Sequence, residues 1–86
     1  MRTTVDDEMY HTVAGVLVRI AGVPVDRLAP DTRLDALGLD SLAMLEVGLA
    51  MQKELGVEID DAEVAGAQTV SDLAAVGHRA ARSTAG

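Results

Sequence analysis

Residues Gly38 to Gly56 read GLDSLAMLEVGLAMQKELG. Met44, Val47, Gly48, Met51 and Leu55 recur at three- and four-residue spacing. That spacing predicts a helix from about Ser41 to Leu55, with Gly56 as its stop. At 100° per residue the same helix carries a second apolar side, Leu42, Leu45 and Leu49, beside Glu46 and Lys53. A helix in a single-core bundle needs only one such stripe. The longer one, reaching the helix end, is the better core face. Gly48 within it permits close helix approach, at a propensity cost of about 1 kcal/mol. Leu42, Leu45 and Leu49 are then left exposed or half-exposed, and an apolar patch rimmed by charge marks a binding surface. The competing reading is a central helix buried on both sides.

The flanking sequence supplies the rest of a bundle. A first helix is expected from about Val5 to Ala21, with Thr4 and Asp7 resembling a capping box. Asp6, Asp7 and Glu8 suit its positive end. Met9, Val13, Val16, Leu17 and Ile20 form its inward stripe. Residues 22–40 then read as a long loop with two prolines, pinned by Leu28, Leu34 and Leu37, with a helical turn around 33–37. Loops of this length in small domains tend to be functional. A short third helix is expected after Asp60, with Glu63 in the capping-box position, ending near Gly66. A last helix should follow Thr69, with Asp72 three residues on, turning Val70, Leu73, Val76 and Ala80 inward. The expected fold is all-α: three main helices plus one short one, with a long loop between the first and second main helices. It forms one domain over 1–86, its core at about 5–80 and a frayed tail at 83–86.

Composition limits what such a chain can do. Its 86 residues contain no cysteine, no Phe or Trp, and one aromatic, Tyr10, so the core is aliphatic and no disulfide or thiolate metal site exists. His11 and His78 lack metal-ligand spacing, and no metal is expected. Neither a signal peptide nor a run long enough to span a membrane is seen, which reads as a cytoplasmic protein with no membrane role. The net charge is −7, and residues 35–63 hold eight acids against one base, Lys53. Nucleic acid is therefore excluded as a partner, and a basic protein surface is the natural one. A plain solvated surface also accounts for the number of acids, but gives no reason for their localisation.

Ser41 admits three readings. It or Asp40 is a favoured N-cap. As a hydrolase nucleophile it would need Gly on both sides, a preceding strand and a nearby base, and the sequence offers none of these. As an attachment point it is accessible, and helix N-terminal amides tolerate a phosphodiester there.

LGLDSLAMLE resembles the attachment motif of acyl carrier proteins. APDTRLDALGLDS is similar to that family's loop into the serine, LGVEIDD to its exit from the second helix, and the TV of AQTVSDL to the start of its last helix. The likeness covers roughly residues 5–80. It implies that Ser41 carries 4′-phosphopantetheine, whose thiol holds acyl groups as thioesters, on a protein that is itself not an enzyme. Asp40, Leu42, Leu45 and Glu46 then match docking positions, and the second apolar face adds Leu49 to them. A phosphopantetheinyl transferase and synthase enzymes are the implied partners of what is expected to be a monomer.

DSLAMLE with DDAEVAG most resembles discrete carriers of bacterial type II aromatic polyketide synthases. That likeness implies malonyl loading, and a malonyl transferase, a ketosynthase with its chain-length factor, a ketoreductase and cyclases as partners. Leu39-Asp40 does not fit the glycine-rich motif of peptidyl carriers. Asp60 stands where the family often has proline. Fatty-acid or aminoacyl carriage on the same fold remains the alternative. From a different class there is an unmodified acidic adaptor that binds a basic protein through the same face.

Overall fold

A computed structural model of the chain describes the backbone of residues 4–85 and the side chains of residues 8–82. Helix α1 spans Thr4–Ala21, α2 Ser41–Leu55, α3 Asp61–Gly66 and α4 Val70–Ala85. The connection from α1 to α2 contains two 3-10 turns, Val25–Arg27 and Asp35–Leu37. The described residues contain no β-strand, only an isolated antiparallel bridge between Arg33 and Thr69. None of their helices is long and apolar enough to cross a membrane. The all-α expectation holds, with three main helices and one short one.

Aliphatic periodicity builds the core. Val13, Val16 and Leu17 of α1, Val47 and Met51 of α2, and Val70 and Leu73 of α4 are all fully buried. Each large side chain of this kind contributes roughly 1.5–3 kcal/mol on burial. Ala80 packs half-buried against them. One expected member is missing: Ile20 is 42% exposed. It lies in the last turn of α1, which runs past the core. The chain then reverses, with Val23 N–H donating to Leu17 O at 3.3 Å. Val23, 4% exposed, folds back and covers the core edge that Ile20 does not reach.

The long connection is ordered by hydrogen bonds to α4. A helix start leaves unsatisfied N–H groups. Here Val70 N–H donates to Thr32 O (3.0 Å) and Ser71 N–H to Pro30 O (2.8 Å). In return Leu34 N–H donates to Gln68 O at 2.9 Å. Thr69 and Asp72 form a reciprocal capping box: Asp72 N–H donates to Thr69 Oγ1 (3.0 Å), and Thr69 N–H to Asp72 Oδ2 (3.2 Å). Leu34 is buried, while Leu28 and Leu37 pack half-buried on the core, so all three expected pins hold.

Helix α3 is capped by Asp60, whose Oδ1 accepts from Ala62 N–H at 2.9 Å. The reciprocal role expected of Glu63 is not filled, because its carboxylate accepts from Arg79 Nη2 on α4 (3.1 Å). The Thr4–Asp7 capping box lies outside the residues whose side chains are described. Of the tail at 83–86, the backbone of 83–85 continues α4. Gly86 lies outside the described residues.

Leu73→Ala is expected to destabilise the fold by about 2–5 kcal/mol. Leu49→Ala, on an exposed position, should stay within about 0.5 kcal/mol. Urea unfolding followed by circular dichroism checks both; equal costs would contradict the assignment of core and surface.

Candidate functional site

The approach to Ser41 is set by Gly38. This residue ends the Asp35–Leu37 turn with φ 82°, a left-handed conformation that costs glycine nothing. Asp40 is then extended, and its Oδ1 accepts from Ala43 N–H at 2.8 Å. The cap is therefore Asp40, and Ser41 is the first residue of α2. Ser41 is exposed. No hydrogen bond to its hydroxyl occurs among the described residues.

The two faces of α2 separate as its periodicity requires. Val47, Gly48 and Met51 are buried, and Met44 and Leu55 half-buried. Leu42, Leu45 and Leu49 are 64%, 43% and 54% exposed, with Glu46 exposed among them. The reading in which α2 is buried on both sides is thereby excluded. Gly48 supplies the close approach: a Cβ there would sit 3.2 Å from Val64 Cγ2 of α3.

Beside Ser41 lies a cleft of about 500 Å³ between α2, α3 and the loop before α2. Leu34, Leu39, Met44, Leu45 and Val64 give it apolar walls, while Arg33, Asp35, Asp40, Asp61 and Gln68 supply polar groups. Arg33 grips Asp35 with two hydrogen bonds, Nε to Oδ1 at 3.1 Å and Nη2 to Oδ2 at 3.0 Å. Those hydrogen bonds hold the Asp35 carboxyl below its ordinary range and push the Arg33 guanidinium above its own. Both side chains are exposed, so the pair orients them more than it stabilises the fold.

No base stands ready to activate Ser41. His11 and His78 come together in space, but they line a different cleft with Tyr10, Pro30 and Ser71. None of its lining residues is shared with the cleft at Ser41. Asp40 is committed to the Ala43 N–H. No cluster of three or more potential metal ligands occurs among the described residues. Ser41 thus stands exposed beside a cleft with apolar walls, and no hydrogen bond pairs it with a base among the described residues. Sequence reading missed Arg33, Asp61, Val64 and Gln68 as parts of this site. The residues 33 and 68 are adjacent only through the Arg33–Thr69 bridge, and no spacing in the chain announces it.

A family model described as a phosphopantetheine attachment site matches residues 11–76. An acyl carrier protein of Thermobifida fusca is 36% identical over 69 residues, which is 79% of this chain and 87% of that protein. One from Acidothermus cellulolyticus is 36% identical over 67 residues, 77% and 80% of the respective chains. The solution structure of the acetyl actinorhodin acyl carrier protein from Streptomyces coelicolor matches with a TM-score of 0.63 at 25% identity. That match covers 96% of this chain and 94% of the other.

Because Asp40 alone provides the cap, Asp40→Ala is expected to cost about 1 kcal/mol. Ser41→Ala should cost no more than about 0.5 kcal/mol. Thermal melts of both variants measure the difference; a larger loss at Ser41 would mean that its hydroxyl, and not the Asp40 carboxylate, holds the helix start.

Proposed function

We propose that Ser41 is the anchor of a 4′-phosphopantetheine arm, since the chain belongs to the acyl carrier protein family. The observation that carries the reading is an exposed hydroxyl with no hydrogen-bond partner among the described residues, placed at the first residue of a helix and inside the matched region. Members of this family are non-catalytic carriers of that group and work with a phosphopantetheinyl transferase and synthase enzymes. When bound, the group supplies a terminal thiol for thioesters, chemistry that a cysteine-free chain lacks.

The residues around Ser41 fit this task. Asp40 supplies the side-chain cap, so esterification of Ser41 disturbs no hydrogen bond seen among the described residues. Leu42, Leu45 and Leu49 form an apolar strip for a partner enzyme. Asp40 and Glu46, with the other acids of residues 35–63, draw in a basic surface and set its approach. The cleft walls offer partial shelter to whatever the arm carries.

For the pathway, the best supported reading is a type II polyketide synthase. The chain then receives malonyl units, presents them to a ketosynthase pair, and carries the growing chain to reductases and cyclases in the cytoplasm. The support is the DSLAMLE sequence together with the fold similarity to the actinorhodin carrier. Asp60, found where the family often has proline, does not weaken the site, because it caps α3.

Incubation with coenzyme A and a phosphopantetheinyl transferase should add one phosphopantetheinyl group, read by intact-protein mass spectrometry. Ser41→Ala should abolish the gain. An adaptor that is never modified would show no gain in the wild type. Glu46→Lys should slow the modification several-fold at low salt and much less at ~1 M salt, where screening acts within ~3 Å. An effect of equal size at both salts would remove the electrostatic part of the docking.

A further inference from the structure

We infer that Arg33 binds the phosphodiester of the group attached at Ser41, an inference that rests on the carrier reading above. Arg33 is the one cation among the residues lining the cleft beside Ser41, which also include Asp35, Asp40 and Asp61. The surroundings of Ser41 are thus acidic before any group is attached. A phosphodiester on its oxygen adds another negative charge, and within the cleft the Arg33 guanidinium is what can compensate it.

Three features suit Arg33 to this. Its planar fork matches phosphate oxygens better than a lysine ammonium does. Of the five N–H donors of a guanidinium, Asp35 engages two, through Nε and Nη2, and leaves Nη1 available. The backbone is also held in place. Leu34 N–H donates to Gln68 O (2.9 Å) and Val70 N–H to Thr32 O (3.0 Å), one on each side of Arg33. With its backbone fixed and its head steadied by Asp35, little freedom is lost when an anion is bound. The phosphodiester, tethered to Ser41 in the same cleft, is present at high effective concentration.

The other described arginines are engaged elsewhere or absent from the cleft. Arg19 pairs with Glu54 (2.8 Å) and Arg79 with Glu63 (3.1 Å). Arg27 Nη2 donates to Ala36 O at 3.3 Å. Arg82 lies exposed on α4.

The test compares unmodified and phosphopantetheinylated protein for the wild type, Arg33→Gln, Arg33→Lys, Asp35→Asn and the control Arg82→Gln. Mass spectrometry first establishes one added group per chain. In the wild type, the Arg33 Nε–H resonance should move on modification. The phosphorus resonance should shift in Arg33→Gln, recover part way in Arg33→Lys, and stay unchanged in Arg82→Gln. The difference between wild type and Arg33→Gln should shrink at ~1 M salt. Asp35→Asn should keep a phosphorus signal closer to that of the wild type than to that of Arg33→Gln, since it retains the cation and an oxygen that can still steady it. An unmoved Arg33 resonance, coincident phosphorus signals in wild type and Arg33→Gln, or an Asp35→Asn signal matching that of Arg33→Gln would each overturn the role of Arg33. A wild type that takes up no group would overturn the carrier reading and this inference with it.

Discussion

One constraint organises the molecule: α2 is gripped by the core from one side only. Val47, Gly48 and Met51 are buried against the rest of the bundle. A chain without disulfides or large aromatics draws its stability from such aliphatic faces. With three main helices there is too little chain to enclose α2 completely. Its other side, with Leu42, Leu45 and Leu49, therefore faces outward. The exposed apolar strip is thus what remains once the core has taken its share of the helix.

A second constraint fixes where that helix begins. The connection before α2 lends carbonyl groups to the first turn of α4, and α4 needs them because its opening N–H groups have no partners within the helix. One set of backbone hydrogen bonds therefore completes α4 and also positions Leu34, Arg33 and the turn leading to Ser41. Helix α3 closes the arrangement, with Val64 set against Gly48 and Glu63 paired with Arg79. The cleft lies among these three anchored pieces.

Much of this was legible from residue spacing. The bounds of α2, its two faces and its terminating Gly56 follow from a 3.6-residue period and one glycine. The start of α4 follows from Thr69 and Asp72. Ile20 was misread because periodicity carries no information on where a core ends, and only the return of Val23 marks that edge. Glu63 was misread because the spacing rule for a cap knows nothing of Arg79, sixteen residues away. The walls of the cleft were illegible for the same reason: Arg33, Asp61, Val64 and Gln68 meet through tertiary hydrogen bonds and packing. Ser41 itself could be singled out, whereas the division of tasks between it and Asp40 needed the hydrogen bond to Ala43.

That division has a consequence for the life history of the chain. On the proposed function, structural duty falls on the aspartate and attachment on its neighbour, so esterifying the hydroxyl would leave the cap at the start of α2 in place. Newly made chains would then reach their mature shape at once and wait as a competent pool. Decoration would be a later, separately timed event, governed by the supply of donor and modifying enzyme and not by the success of folding.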